Sequence, residues 1–98
     1  MLFHVTWETY PVVLDDEKRL REAVGPQLQR LMQSDKVREA GILSAKRAGF
    51  FLVDIDAPEE IYELFGPEIL ANFKLEVYPV TPLDKMGELF QRWASEGR

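Results

Sequence analysis

Residues 50–55, with the sequence FFLVDI, place apolar side chains on both faces of a predicted β-strand. Alternate side chains of a strand point to opposite faces, so Phe51 and Val53 share one face while Phe50 and Leu52 share the other. A strand that is apolar on both faces is buried on both faces. The fold has to cover this strand from two sides, and a chain of 98 residues provides one hydrophobic core rather than two.

Hydrophobic periodicity predicts the remaining elements. Alternation with a period of two is typical of strands, and apolar residues spaced by three and four are typical of helices. The predicted elements are a strand over 2–8, a helix from residue 15 that ends before Gly41, two strands within 42–56, a helix after Asp56, a strand over 73–80 and a terminal helix over 81–96. Pro26 lies inside the first helix, where a proline costs about 3 kcal/mol, so a kink or two short helices in line are expected.

Turn and capping residues set the expected boundaries in the second half of the chain. The turn between the two middle strands centres on Gly49 and the two residues before it, because glycine takes a positive φ without strain. Asp56 is expected to cap the helix that follows, with Glu59 at the capping-box position, and Gly66 is expected to stop it. These boundaries leave residues 67–72 as a short link before the last of the four strands.

The order strand, helix, strand, strand, helix, strand predicts a ferredoxin-like α+β fold. Right-handed crossovers place both main helices on one face of a four-stranded antiparallel sheet, with the first and third strands in the middle. We expect a single domain over residues 1–98 with the helix over 81–96 appended. Because the helices cover only one sheet face, Phe50 and Leu52 need a second cover. A second copy of the sheet provides it, which predicts a homodimer or higher homo-oligomer in the form of a dimeric α+β barrel.

Several other residues are expected to be structural. Trp7 shares a strand face with Phe3 and Val5, which predicts that it belongs to the core. Asp54 precedes the turn into a helix and is expected to serve local capping. The terminal helix carries an apolar stripe, expected to pack on its own sheet or across the dimer, that consists of Leu83, Met86, Leu89, Phe90 and Trp93.

Charge and composition exclude several classes of partner. The formal net charge is −5, which argues against nucleic acid and against anionic membrane surfaces as partners. The chain has no cysteine and one histidine, so disulfides, thiolate chemistry and a dedicated metal site are not expected. No apolar run reaches about 18 residues and no signal peptide is recognisable, so a cytoplasmic protein is expected.

The second sheet face carries the candidate site residues. Strand parity places on it the predicted catalytic residues His4, Glu76 and Tyr78. The predicted ligand-binding residues Thr6, Leu52 and Lys74 share that face. An imidazole accepts and returns a proton near neutral pH without a cofactor. Glu76 can orient the imidazole or act as the base itself, and Tyr78 or Lys74 can donate a hydrogen bond to an enolate oxygen. The competing interpretation is that His4 only hydrogen-bonds to a neighbour at the dimer interface.

Three stretches of the sequence carry a resemblance to a known family. They are MLFHV at residues 1–5, FFLVDIDAPEEIYELF at 50–65 and FKLEVYPVTPL at 73–83. Together they resemble the muconolactone isomerase-like proteins of the dimeric α+β-barrel superfamily. The resemblance implies a small, oligomeric, cytoplasmic protein of bacterial type. It also implies an isomerase that needs no metal or cofactor and shifts a double bond in a small anionic lactone by proton transfer next to a carbonyl.

Two other functions compete with the isomerase. One is a cofactor-free monooxygenase or haem-degrading relative, since the same dimeric barrel is used there and His4, Trp7 and Asn72 are compatible with it. The other is a non-catalytic binding or structural module whose barrel is empty or closed. That module predicts that His4, Glu76 and Tyr78 can be removed without loss of any ligand.

Overall fold

Four strands and four helices make up the part of the chain that the computed structural model describes, residues 1–10 and 14–98, with the side chains of residues 14 and 15 left aside. In chain order they are β1 (Leu2–Thr9), α1 (Leu14–Met32), β2 (Val37–Ile42), β3 (Ala48–Asp54), α2 (Glu60–Phe65), α3 (Pro67–Asn72), β4 (Phe73–Pro79) and α4 (Leu83–Ser95).

The four strands form one antiparallel sheet in the order β2-β3-β1-β4. The two central strands are β1 and β3, as the ferredoxin-like prediction requires. Their register places His4 of β1 opposite Leu52 of β3 on one side and opposite Tyr78 of β4 on the other. The α+β class and the four-stranded antiparallel sheet predicted from the sequence are confirmed.

A single cluster of buried residues lies between the sheet and the helices α1, α2 and α3. Its largest fully buried members include Phe65, Leu31 and Ile69, and the rings of Phe51 and Phe65 meet edge to face with their centroids 5.3 Å apart. Trp7 packs against this cluster as predicted. The core therefore occupies only the helix-covered side of the sheet.

The prediction for the second strand is wrong. Helix α1 ends at Met32 and β2 already begins at Val37, five residues before the predicted start. Polar side chains lie on both sides of this edge strand, and its register shifts between Val37 and Glu39, so alternation is lost. A single-residue irregularity of this kind removes the period-two pattern on which the prediction depended.

The turn into β3 also differs from the prediction. The backbone N–H of Leu43 donates to Ala48 O at 3.0 Å, and Ala45 rather than Gly49 takes the positive φ, at 63°. Gly49 is required for a different reason. A Cβ atom there would lie 2.6 Å from the Trp7 ring, so the absence of a side chain lets the indole lie close to β3.

Helix α1 runs unbroken through Pro26, so the expectation of two short helices is wrong. Pro26 is exposed, while Val24 before it and Leu31 after it are both buried in the core. Burial of a large aliphatic side chain stabilises by about 1.5–3 kcal/mol. The anchors on both sides of the proline therefore offset the cost of its missing backbone hydrogen bond.

The start of α2 is capped by a different residue from the one predicted. The Glu60 carboxylate accepts from the backbone N–H groups of Asp56, at 2.6 Å, and Ala57, at 3.1 Å, and Glu59 makes no side-chain cap. Because Glu60 lies on the first turn, its side chain reaches back to both donors. The capping roles expected of Asp56 and Glu59 are therefore wrong.

The predicted link after Gly66 is in fact a short helix. Gly66 ends α2 with φ at 82°, as expected, but Pro67 then begins α3. The Gln27 side chain of α1 accepts from the backbone N–H groups of Glu68 and Ile69, at 3.1 and 3.2 Å. The free donors at the start of α3 are thus satisfied from a neighbouring helix, an arrangement that local sequence does not reveal.

Helix α4 stands apart from the rest of the fold. None of its residues is buried, and none contributes to the core cluster. The chain measures 61 Å along its longest axis and has a radius of gyration of 17.2 Å, against about 13 Å for a compact domain of this length. Packing of the terminal stripe on its own sheet is therefore contradicted. Within the described residues, we find no helix that could serve as a membrane span.

Candidate functional site

The sheet face turned away from the helices is the candidate site, and we call it the open face. It is defined by His4 and Thr6 of β1, Phe50 and Leu52 of β3, and Lys74, Glu76 and Tyr78 of β4. None of these residues belongs to the core cluster. All six predicted site residues are among them, so the structure brings the whole predicted set to one surface.

His4 lies at the centre of the open face against an aromatic ring. Its imidazole stacks on Phe50 with the ring centroids 5.6 Å apart and the planes inclined by 23°. Phe50 in turn lies over Gly41 of β2, where a Cβ atom would be only 3.0 Å from its Cζ. A glycine at this position lets the Phe50 ring lie flat across the sheet. The imidazole is therefore held by packing, with its ring edge left for polar contacts.

Beside His4, the β4 strand contributes a connected polar row. The Tyr78 hydroxyl donates to Glu76 Oε2 at 2.9 Å, and Lys74 Nζ lies 3.9 Å from Glu76 Oε1. The hydrogen bond to the Glu76 carboxylate raises the pKa of Tyr78, because it stabilises the protonated phenol. Tyr78 therefore keeps its proton at neutral pH and directs it to Glu76. The Glu76 carboxylate thus has the Tyr78 hydroxyl on one oxygen and the Lys74 ammonium near the other.

Part of the open face is concave. A cavity of about 360 Å³ is lined by residues of β1, β3 and β4 and of the β2–β3 turn, among them His4, Thr6, Trp7, Glu8, Phe50, Lys74 and Glu76. This volume falls within the range of small-molecule sites in proteins. Tyr78 and Leu52 do not line the cavity, although they share the face. The predicted set is thus divided into four residues at the cavity and two beside it.

Sequence reasoning missed the turn residues at the mouth of this cavity. Lys46 and Leu43 both line it, and Lys46 Nζ lies 3.9 Å from the Glu8 carboxylate. The sequence shows Lys46 only as part of a short basic pair beside a turn. Its position could not be found because β2 was placed too late in the chain, which moved the turn with it.

Asp54 ends β3 and has a structural role that differs from the expected capping. Its carboxylate accepts from the amino group of Met1 at 2.8 Å and from Arg38 Nη2 at 3.1 Å. The hydrogen bond from the amino group, followed by that from Arg38, lowers the pKa of Asp54. Two cations thus hold Asp54 at the edge of the open face, where it ties β1 and β2 to the end of β3.

Of the three residues compatible with a monooxygenase, His4 and Trp7 line the same cavity and Asn72 does not. Trp7 lies on the helix-covered side, its ring 5.3 Å from that of Phe73. The Asn72 side chain donates to Glu68 O at 2.7 Å within α3. Trp7 and His4 point to opposite sides of β1, so Trp7 contributes to the cavity from the helix-covered side while His4 lies on the open face. Among the residues the structure describes, no cluster of histidine and acidic side chains is arranged to hold a metal ion.

Comparison with known proteins finds a similar solved structure but no matching family model or curated sequence. A crystal structure of muconolactone isomerase superposes with a TM-score of 0.66 at 21% sequence identity, covering 84% of this chain and 90% of that one. The chain is therefore similar in fold to muconolactone isomerase. At this level of identity the match concerns the fold alone.

Proposed function

We propose that this protein is a cofactor-free isomerase that moves a proton on a small anionic or lactone metabolite, with the open face as its site. The observation that carries the proposal is the placement of His4 and Glu76 on neighbouring strands at one cavity. Tyr78 is hydrogen-bonded to Glu76 at 2.9 Å. Proton abstraction next to a carbonyl requires a base and a hydrogen-bond donor or cation that stabilises the enolate oxygen, and the open face offers both kinds of group. The fold shared with muconolactone isomerase supports the reaction class.

The proposed active form is a homodimer in which two open faces pack together. Phe50 and Leu52 are only half-buried, and the helices cover the other side of the sheet. Removing apolar surface from water stabilises by about 25 cal/mol per Å², so a second sheet over these side chains is favoured. A two-fold axis then closes both cavities at once. Exclusion of water strengthens every hydrogen bond that a polar group makes to the substrate.

In the proposed reaction His4 acts first as a base and then as an acid. Its imidazole removes a proton from the carbon next to the carbonyl of a β,γ-unsaturated lactone. The C–H electron pair forms a new C=C bond, and the carbonyl oxygen takes the negative charge of the dienolate. The imidazolium then returns the proton to the γ-carbon while the carbonyl re-forms. The double bond has moved by one position, and no atom or electron is gained or lost.

The other open-face residues have distinct proposed roles. Lys74, at 3.9 Å from Glu76, pairs with the substrate carboxylate or the dienolate oxygen. Tyr78 becomes a second donor for that oxygen when its hydroxyl turns from Glu76 to the substrate. Glu76 orients these donors and stabilises the imidazolium. Thr6 provides a polar wall of the cavity, and Leu52 provides an apolar surface beside it.

A non-catalytic binding module is the second candidate, and one observation favours it. Tyr78, Glu76 and Lys74 already satisfy one another, and His4 already stacks on Phe50. Because these groups are already held in place by one another, the site is organised to bind a molecule whether or not it transforms that molecule. This candidate predicts saturable lactone binding with no proton exchange.

Proton NMR in D₂O separates the two candidates. We expect the wild-type protein to introduce deuterium into muconolactone or a related unsaturated lactone, and His4→Gln to lower that rate about 100-fold, the effect typical of losing a general base. Tyr78→Phe should also slow exchange. Tyr10→Phe is its matched control, because both hydroxyls belong to tyrosines that are 52% exposed. Equal exchange by wild type and His4→Gln, or binding without any exchange, would contradict the isomerase.

A further inference from the structure

A second concavity lies on the other side of the molecule, at the outer edge of the helix-covered side. It has a volume of about 460 Å³ and runs between α2, α3 and the edge strand β4. Tyr62, Leu70, Leu75 and Val77 form its apolar surface. Tyr62 is 67% exposed and Val77 38% exposed. We call this concavity the β4 groove. The short helices α2 and α3 leave it uncovered.

Helix α4 carries an apolar stripe that fits such a groove. With 100° between successive residues, its large apolar side chains fall within a sector of about 120°. The stripe consists of Leu83, Met86, Leu89, Phe90 and Trp93. None of these side chains is buried, and Leu83 is 85% exposed. A contiguous exposed apolar surface of this kind marks an interaction site.

The connection before α4 directs the stripe away from the groove of its own chain. The backbone N–H of Val80 donates to Leu2 O at 2.9 Å, so pairing with β1 continues beyond the end of β4. Only Thr81 and Pro82 then remain before the helix begins at Leu83. Proline restricts its own φ and keeps the preceding residue extended. This short, stiff link carries α4 outwards, in accord with the 61 Å length of the chain.

Charge at the two surfaces is complementary. Lys85 and Arg92 lie two helical turns apart along one flank of the α4 stripe, and Lys85 makes only an exposed 3.9 Å ion pair with Glu88, which is weak enough for a stronger partner to replace. Glu59 lines the β4 groove, and Glu63 follows it by one turn of α2. Oppositely charged flanks favour one orientation of a docked helix over the reverse.

We propose that α4 of one copy docks in the β4 groove of a second copy, which returns its own α4 in exchange. A two-fold arrangement fills both grooves and covers both stripes, so no apolar helix is left exposed. This interface involves the side of the sheet opposite to the open face. It goes beyond the proposed reaction and does not depend on it.

Disulfide trapping tests the exchange directly, because the chain contains no cysteine. Two chains with different tags, one carrying Tyr62→Cys and the other Phe90→Cys, are co-expressed and oxidised. Both positions are more than half exposed, so the substitutions leave the core intact. Glu88→Cys is the matched control for Phe90→Cys, since it lies on the opposite side of α4. We expect a disulfide between the two tagged chains at least about tenfold more abundant than with the control.

The other outcomes each overturn the proposal. If a single chain that carries both Tyr62→Cys and Phe90→Cys forms only an internal disulfide, α4 folds back on the groove of its own chain. A dimer by light scattering with no disulfide between the tagged chains would mean that copies pair through the open face alone. Equal trapping by Phe90→Cys and Glu88→Cys would mean random collision. None of these results depends on lactone turnover, so failure here is distinct from failure of the proposed reaction.

Discussion

Substitution of Gly49 by alanine is expected to destabilise the protein strongly, since Trp7 of β1 and the backbone of Gly41 in β2 both lie close to this residue. The new Cβ would lie 2.6 Å from Trp7 Cζ2 and would also meet the carbonyl oxygen of Gly41, a backbone atom that cannot rotate away. Ordinary carbon contacts are about 3.5–4.0 Å, so the neighbours must move by about 1 Å. Overpacking of this kind in a core costs about 1–3 kcal/mol.

Two other glycines provide comparisons for this effect. At Gly41 the added Cβ meets only the outer atoms of the Phe50 ring, which lies on the open face and can rotate. We expect about 0.5–1.5 kcal/mol of destabilisation there, the cost of an off-rotamer side chain. At Gly25 nothing lies within 4 Å of the new Cβ. Alanine favours a helix interior over glycine by about 0.5–1 kcal/mol, but the ring of Pro26 crowds a Cβ at the preceding helical position, so Gly25→Ala should be close to neutral.

Urea denaturation followed by circular dichroism measures the series at one fixed protomer concentration, because association adds to apparent stability. Gly49→Ala at about 2 kcal/mol of destabilisation lowers the melting temperature by about 8–16 °C in a domain of this size. The expected order of decreasing stability is wild type together with Gly25→Ala, then Gly41→Ala, then Gly49→Ala. A Gly49→Ala protein within 0.5 kcal/mol of wild type, roughly the spread of neutral surface changes, would refute the close packing of Trp7 on β3.

Three further predictions concern ionisation and association. Glu76→Gln should lower the pKa of Tyr78 towards that of an ordinary tyrosine, as measured by ultraviolet absorbance of the tyrosinate. The raised pKa also means that this hydrogen bond stabilises the fold below about pH 10 and is lost as the pH rises through the folded-state pKa. Asp54 has a lowered pKa, so its contribution is present above about pH 4 and is lost as the pH falls through the folded-state value. Asp54→Asn should therefore flatten the acid side of the stability profile. In Trp7→Phe, where Trp93 is the remaining tryptophan, emission should move to shorter wavelength as protein concentration rises and α4 docks.

Matched measurements make these three predictions refutable. Tyr78→Phe identifies which tyrosine titrates last, and an unchanged titration in Glu76→Gln would show that the carboxylate does not hold the phenol. Asp35→Asn is an exposed control for Asp54→Asn, and equal acid profiles of the two variants would contradict the role of the cations at Asp54. A Trp93 emission maximum that is independent of concentration would mean that α4 does not dock on a second copy.

The strands at the centre of the sheet could be predicted from the sequence, and the edge strand could not. In β1 the alternation around His4 and Val5 is uninterrupted, so the face of each side chain followed directly. In β2 the register shift after Val37 and exposed polar residues on both sides remove that signal. Edge strands are half-solvated, so their composition is less constrained than that of the buried β3.

Long-range contacts explain what the sequence did not reveal about the site. Parity placed His4, Thr6, Glu76 and Tyr78 on one face because it depends only on local alternation. The position of Lys46 at the cavity mouth depends on where the β2–β3 turn lies, and Ala45 takes a positive φ there without a glycine to signal it. Such placements depend on tertiary packing, which period and propensity do not encode.

The imidazole resonance of His4 tests the central claim most directly, because it is the only histidine in the chain. Its Cε1 proton gives one isolated NMR signal that reports on the open face. If the face closes on a second copy and takes a small anionic lactone, this signal will shift with protein concentration. It will then shift again, saturably, on addition of the lactone, and Lys74→Gln will weaken that second shift. A His4 signal that neither concentration nor lactone changes would contradict both the closed face and the site within it.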